Sequence, residues 1–137
     1  MFIVDNILMD YNNAKKKILL IDDNEIILGV ANAILSDEYE VALEKSGKDA
    51  LNFIKNDYKP DLILLDILMP DMDGWETFEK IREISSMKGV AVAFLTSIHD
   101  KEAVKRSVEM GAADFITKPF DKIDLQNRVK KILEAKR

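Results

Sequence analysis

The sequence predicts an α/β protein in which five βα units build one open, doubly wound parallel sheet. Short apolar runs alternate with helical patterns from about residue 15 to the C-terminus, an alternation typical of parallel sheets with helices on both faces. The runs at residues 62–65 and 90–95 are continuously apolar, as expected of strands buried on both sides. A closed barrel of eight units needs about 250 residues, so a chain of 137 residues favours the open sheet.

The first half of the chain contains two of the predicted units. An apolar strand at residues 18–21 precedes Asn24, a residue type that favours a helix start. The second strand is predicted at residues 39–43. Ser46, with Asp49 three residues later, then indicates the N-terminus of the second helix. The helical spacing places one apolar set on a single face of the first helix: Ile26, Ile27, Val30, Ala31, Ile34 and Leu35.

The second half of the chain contains three further units. The strand at residues 62–65 leads into a loop with Pro70 and Gly74, and the strand at 90–95 leads into a helix from about Asp100 to Met110. Gly111 then occupies the usual left-handed stop position. A fifth strand is predicted at residues 115–117. Apolar residues at helical spacing mark the third and fifth helices, with Trp75, Phe78, Ile81 and Ile84 in one and Leu125, Val129, Ile132 and Leu133 in the other.

Candidate site residues follow four of the five predicted strands. These ends are Asp22-Asp23, Asp66, Thr96-Ser97 and Lys118-Pro119, whereas the second strand ends in Leu43-Glu44-Lys45 without such a signal. A strand order of 2-1-3-4-5 places the second strand at an edge. The switch point then falls between strands 1 and 3, and ligands of open α/β sheets bind in the crevice at that point.

The residue types at this edge suit magnesium and a phosphoryl group. Magnesium prefers oxygen ligands and keeps several waters, so Asp22, Asp23 and Asp66 are candidate ligands together with a backbone carbonyl just past Asp66. A carboxylate attacks phosphorus when the charge of the phosphoryl group is neutralised, which makes Asp66 the candidate nucleophile. Lys118 would pair with the phosphoryl oxygens, and Thr96 would donate a hydrogen bond to one of them.

Each of these residues has a simpler structural explanation when it is taken singly. Asp22 and Asp23 precede a helix that they could cap, Thr96 could end a strand, and a lone lysine usually lies on the surface. Asp66 fits the capping explanation poorly, because Ile67 to Pro70 intervene and no helix begins there. The set together therefore favours a functional site.

Five motifs in order resemble the CheY-like receiver domains of bacterial two-component response regulators. The resemblance covers residues 15–137 and implies a flavodoxin-like (βα)5 fold with the strand order given above, preceded by an N-terminal extension at residues 1–14. The motifs are Ile18 to Asn24, Leu64 to Glu76, Leu95-Thr96-Ser97, Gly111 to Ile116 and Thr117-Lys118-Pro119-Phe120.

The resemblance also implies roles for individual residues. Asp66 is the implied phosphoacceptor. It would receive a phosphoryl group from a phosphohistidine of a sensor histidine kinase or a histidine phosphotransfer protein. Asp23, Asp66 and the Leu68 carbonyl would bind magnesium (manganese being the alternative) directly, with Asp22 acting mainly through water. Thr96 and Phe115 match the family's switch pair, and the Lys118–Pro119 bond would be cis. The fourth helix, fifth strand and fifth helix would form the output surface toward a downstream protein effector.

Composition limits the classes of partner and location. A net charge of −5 argues against direct nucleic-acid binding, and the absence of cysteine excludes disulfides and thiolate metal sites. No apolar stretch is long enough to cross a bilayer, and the N-terminus lacks the features of a signal peptide, so we expect a cytoplasmic protein without membrane insertion. The apolar extension at residues 1–14 could pack on the domain, pair with a partner or stay disordered.

Two other functional classes compete with the phosphoaccepting receiver. A pseudo-receiver would keep the fold as an interaction module that works without phosphorylation, although the complete polar set argues against it. Asp71-Met72-Asp73-Gly74 matches the DxDG core of haloacid-dehalogenase-like phosphatases, but there the first aspartate must directly follow a strand. On the receiver interpretation the chain is a signalling phosphoacceptor that catalyses only its own phosphorylation and dephosphorylation, as a monomer or a phosphorylation-dependent dimer.

Leu68 and Ile98 depart from the polar residues that are commonest at these positions in the family. Each lies two residues past a candidate site residue, Asp66 or Thr96, and both are apolar. Side chains at these positions flank the water that hydrolyses the acyl phosphate. The sequence therefore predicts slow self-dephosphorylation.

Overall fold

The apolar runs form the five strands of one parallel sheet in the computed structural model, which describes residues 14–135. The strand order 2-1-3-4-5 confirms the predicted doubly wound topology. Apart from Ala14, the predicted N-terminal extension lies outside the described residues. The elements are β1 (Lys17–Ile21), α1 (Glu25–Leu35), β2 (Glu40–Glu44), α2 (Gly47–Lys55), β3 (Leu62–Leu65), α3 (Gly74–Glu83), a 3₁₀ turn (Ser85–Met87), β4 (Ala91–Thr96), α4 (Lys101–Glu109), β5 (Phe115–Thr117) and α5 (Lys122–Ala135).

Strands β2 and β4 begin one residue later than the sequence predicts. The Tyr39 N–H donates to the Leu35 carbonyl at 3.0 Å and so closes the end of α1, and the next residue is the first to join the sheet. The Val90 N–H donates to the Met87 carbonyl at 3.1 Å and closes the 3₁₀ turn in the same way. Local hydrogen bonds at the preceding turns therefore set both strand boundaries.

Side-chain caps start the helices where the sequence predicts them. The Asn24 side chain accepts hydrogen bonds from the backbone N–H groups of Ile26 and Ile27, and the Ser46 hydroxyl accepts one from Asp49. These caps satisfy N–H groups that have no partner within the helix. Gly111 has a φ of 86°, which confirms the left-handed stop after α4.

The sheet has a separate apolar core on each face. Leu19, Ile63 and Phe94 face the core that α2 and α3 cover, whereas the neighbouring residues Leu64 and Leu95 face the core under α1 and α5. Alternate residues of a strand point to opposite faces, so a continuously apolar strand supplies both cores. Each fully buried side chain of this size contributes about 1.5–3 kcal/mol, and the two cores together hold the strand ends in fixed positions.

The buried face of α1 differs from the predicted one. Ile26 and Val30 are 75% and 46% exposed, whereas Leu28, Ala31 and Leu35 are buried. Successive residues of a helix are about 100° apart, so Leu28, Ala31 and Leu35 fall within one narrow arc and Ile26 lies well outside it. The predicted face is too wide because it includes every isoleucine and valine at a helical spacing, and it leaves out Leu28, which is buried.

None of the helices within residues 14–135 combines the length and the apolar character needed to cross a membrane.

Two glycine substitutions are expected to change stability in opposite directions. Gly29 lies inside α1, and a Cβ atom added there would meet no neighbouring atom within 4 Å, so Gly29→Ala should raise the free energy of unfolding by about 0.5–1 kcal/mol. Gly111 also has open space, but its positive φ should make Gly111→Ala destabilising by about 1–2 kcal/mol. Urea unfolding of both variants measures the difference, and equal effects would contradict the assignment of these backbone conformations.

Candidate functional site

Three carboxylates meet at the carboxyl edge of the sheet. Ile21 of β1 pairs with Leu65 of β3, so the next residues, Asp22 and Asp66, lie side by side, and the Asp66 N–H donates to the Ile21 carbonyl at 2.9 Å. Asp22, Asp23 and Asp66 place one oxygen each within 4.8 Å of one another. Asp22 and Asp66 are both only 4% exposed, whereas Asp23 is exposed. The structure thus brings together the three aspartates that the sequence singled out.

Lys118 reaches this cluster from the end of β5. Its Nζ atom lies 2.5 Å from Asp22 Oδ2 and 3.4 Å from Asp66 Oδ2, and its side chain is largely buried. The Lys118 N–H donates to the Thr96 carbonyl at 2.8 Å, and the bond to Pro119 is cis. Three carboxylates against one ammonium leave two formal negative charges, which a divalent cation with a preference for oxygen ligands would balance.

Burial raises the pKa of the Asp66 carboxyl above its usual range. Desolvation is the largest cause, and the neighbouring Asp22 carboxylate acts in the same direction. The charge of Lys118 and hydrogen bonds from Thr96 and Lys118 lower the pKa but do not cancel the increase. The Asp66 carboxylate is therefore an under-compensated buried charge, and a bound cation would stabilise it.

Thr96 and Phe115 lie on adjacent strands beside the carboxylates. Thr96 ends β4, is fully buried, and its hydroxyl oxygen accepts a hydrogen bond from the Ile98 N–H at 3.3 Å. Phe115 begins β5 and is half-buried, and its ring centroid lies 6.2 Å from that of Phe94. Residues two apart on a strand point to the same face, so Thr96 and Phe94 both face the α2 and α3 side of the sheet.

The loop after Asp66 folds back around the carboxylate. The Leu68 N–H approaches Asp66 Oδ1 at 3.4 Å, and the Leu68 side chain is 57% exposed at the mouth of the site. Leu68, Trp75 and Ile98 are among the residues that line an open cavity of about 520 Å³ next to this loop. Leu68 and Ile98, the two apolar residues that the sequence singles out, therefore line the same cavity.

Gly74 is a site-supporting residue whose importance the sequence did not reveal. A Cβ atom at this position would lie 2.2 Å from the Asp66 carbonyl oxygen, and the Gly74 N–H donates to the Ile67 carbonyl at 2.8 Å. The absence of a side chain lets α3 begin directly against the end of β3. A glycine at the first position of a helix, directly after an aspartate cap, was the available signal.

The DxDG pattern does not form a phosphatase site. Its first residue, Asp71, lies in the loop well past the end of β3 and has a φ of 69°. Asp73 caps α3 by accepting a hydrogen bond from the Glu76 N–H at 2.9 Å. Neither aspartate directly follows a strand, so the arrangement gives the phosphatase alternative no support.

Comparison with known proteins places the chain in a family. Residues 18–130 match the family model of the response regulator receiver domain. The chemotaxis protein CheY of Halobacterium salinarum is 37% identical over 121 residues, which cover 88% of this chain and 98% of that protein. The response regulator PleD of Caulobacter vibrioides is 35% identical over 88% of this chain but only 26% of its own length. The chain belongs to the response regulator receiver domain family.

Solved structures agree with this family and with the fold. The chemotaxis protein CheY4 of Vibrio cholerae superposes with a TM-score of 0.82 at 28% identity, covering 87% of this chain and 99% of that one. A CheY-like receiver domain protein of Methanospirillum hungatei gives a TM-score of 0.82 at 31% identity, and the match covers 90% of this chain and 97% of that one. The flavodoxin-like, CheY-like fold expected from the sequence is confirmed.

Magnesium is expected to stabilise the protein through the carboxylate cluster. A ligand that is present at 100 times its dissociation constant adds about 2.7 kcal/mol to the free energy of unfolding. Millimolar Mg²⁺ should therefore raise the melting temperature of the wild type. Asp66→Asn should lose most of that increase. Asp71→Asn is the matched control, because it removes the same charge from the neighbouring loop outside the cluster and should respond like the wild type.

The same variants test the pKa of Asp66 without metal. Because the folded state raises this pKa, it holds the proton more tightly than the unfolded chain does, and stability decreases as pH rises through the folded pKa. Asp66→Asn should therefore be more stable than the wild type at neutral pH, and Asp71→Asn should not. Thermal unfolding in EDTA at pH 7 measures the stability of both variants. An Asp66→Asn variant that is less stable than the wild type would contradict the raised pKa of Asp66.

Proposed function

We propose that the domain is the phosphoacceptor of a two-component or phosphorelay signalling system, with Asp66 as the residue that is phosphorylated. The observation that carries this proposal is the convergence of the Asp66 carboxylate, the Lys118 ammonium and the buried Thr96 hydroxyl with two further aspartates at one sheet edge. The donor would be a phosphohistidine of a sensor histidine kinase or a histidine phosphotransfer protein. The cytoplasmic location expected from the sequence stays a prediction.

The proposed reaction is an in-line transfer between two side chains. An Asp66 carboxylate oxygen forms a bond to phosphorus while the bond from phosphorus to the donor imidazole nitrogen breaks, and the imidazole takes up a proton. Lys118 pairs with a phosphoryl oxygen, and the Thr96 hydroxyl donates to another. The chain would thus be a signalling phosphoacceptor that catalyses only its own phosphorylation and dephosphorylation.

The carboxylates are the residues that would hold the cation. Asp23 and Asp66, with the Leu68 carbonyl, are the proposed direct ligands, and Asp22, which already pairs with Lys118, would contact the ion mainly through water. Magnesium, or manganese in its place, would neutralise the negative charge of the phosphoryl group as it approaches the carboxylates. The remaining negative charge of the cluster supports this assignment.

The proposed output is a contact with another protein through α4, β5 and α5. In this proposal the Thr96 hydroxyl moves toward the phosphoryl group. The Phe115 ring then turns inward into the space that the hydroxyl leaves. Val104 and Val108 are exposed on α4, and Arg128 of α5 forms ion pairs with Asp114 and Asp124. The face offers apolar and charged groups to a protein effector or, in a phosphorylation-dependent dimer, to a second copy.

Intact mass after incubation with Mg²⁺ and acetyl phosphate tests the proposed function. One added phosphoryl group is expected, dependent on the metal and absent from Asp66→Ala. A protein that takes no adduct and also fails to bind beryllium fluoride would be a pseudo-receiver instead. Binding of beryllium fluoride without a trapped adduct would indicate an acceptor whose phosphoryl group hydrolyses quickly.

The lifetime of the phosphorylated form is expected to depend on Leu68. An amide at this position could orient the attacking water, so Leu68→Asn should accelerate dephosphorylation. We expect an increase of at most about 10²-fold, the lower end of what general acid–base catalysis contributes, because an amide positions the water without taking its proton. Val108→Asn also replaces an exposed apolar side chain by an amide, on α4 instead of the loop after Asp66, and should leave the rate unchanged. Loss of the added mass over time gives both rates, and a longer lifetime in Leu68→Asn would contradict the prediction.

A further inference from the structure

Trp75, the one tryptophan of the sequence, joins α3 to α4 beside the site. The guanidinium carbon of Arg106, on α4, lies 4.3 Å from the centroid of the Trp75 ring. The same indole packs against Phe94 with ring centroids 4.9 Å apart and lines the open cavity with Leu68 and Ile98. Trp75 therefore contacts a core aromatic on one side and a surface cation of another helix on the other.

The aromatic rings form a continuous set from Phe115 to Trp75. Phe94 pairs with Phe115 across β4 and β5, is fully buried, and contacts both Phe78 and Trp75. The space that the Thr96 hydroxyl leaves is smaller than a phenyl ring, and close-packed interiors do not absorb a large side chain without displacing another. Phe78 is buried as well, whereas Trp75 borders the open cavity. If the Phe115 ring turns inward, Trp75 is the member of the set that has room to move.

Helix α4 is held by few buried side chains. Its buried residues are Ala103 and Ser107, and both are small, whereas Val104 and Val108 are exposed. An apolar anchor of the kind that Phe78 gives α3 is missing from α4 in this part of the described chain. Met110, at the C-terminal end of α4, packs partly buried against the core, and the contact of Arg106 with Trp75 joins the exposed side of this helix to α3.

We propose that the Arg106–Trp75 contact stabilises the unphosphorylated position of α4, and that it is lost when Phe115 turns inward. Arg106 is then a positioning residue that opposes the change of the domain to its phosphorylated conformation. This inference rests on the proposed function, since it requires that a phosphoryl group at Asp66 moves Phe115. A cation over an aromatic ring at an exposed site is worth about a two- to fivefold change in an equilibrium, which sets the size of the expected effect.

The test compares Arg106→Gln with Lys105→Gln in the full chain. Both variants remove one positive charge from α4, and both residues are exposed. Beryllium fluoride with Mg²⁺ serves as the phosphoryl mimic, and its apparent affinity is measured by calorimetry. Arg106→Gln should bind it about two- to fivefold more tightly than Lys105→Gln does, because the contact no longer has to be broken. The Trp75 emission of the wild type should also change on binding.

The outcomes separate this inference from the proposed function. If Arg106→Gln and Lys105→Gln bind the mimic equally, or if Trp75 emission does not respond in a wild type that binds it, the positioning role is overturned and the phosphoacceptor role stands. If the wild type neither binds the mimic nor takes up a phosphoryl group, both proposals are overturned together. Tighter binding in Arg106→Gln alone, with an emission change in the wild type, supports the inference.

Discussion

Burying the carboxylates of Asp22 and Asp66 side by side costs free energy, and the neighbouring groups stabilise them in part. The side chain of Lys118 crosses from the far edge of the sheet to meet both carboxylates, and the Asn24 N–H donates to Asp22 Oδ1 at 2.9 Å. These partners offset part of the charge and leave the rest for a ligand. The carboxylates can stay in this position because the two cores hold the strands on both faces of the sheet.

The sequence was sufficient to predict where the site lies because parallel strands share one carboxyl edge. If the apolar runs are parallel strands, the residues that follow them, including Asp22, Asp66 and Lys118, converge without any contact being known in advance. The strand order follows from the same reasoning, since the second strand ends without a candidate site residue. The individual roles of these residues rest on the family resemblance and on the chemistry proposed above.

Other features depend on contacts between elements that are distant in the chain, and the sequence did not reveal them. The face of α1 was drawn too wide, because helical spacing alone does not say how much of the arc the sheet covers, and Ile26 lies outside the covered part. The first residue of β2 depends on a hydrogen bond that Tyr39 donates to Leu35. The pairing of Arg106 with Trp75 joins two helices through side chains whose spacing in the sequence carries no signal.

The close approach of Gly74 to the Asp66 carbonyl has a consequence for protein engineering. The first turn of α3 lies directly against the end of β3, so we expect a loop of another length to shift the Asp66 carboxylate. A graft of this site onto another scaffold would have to keep the segment from Leu62 to Thr77 intact, and it would also need Asp22, Asp23 and Lys118 from the neighbouring strands. Loops on the opposite edge of the sheet, such as the one between α1 and β2, are better places to insert a tag or a second domain.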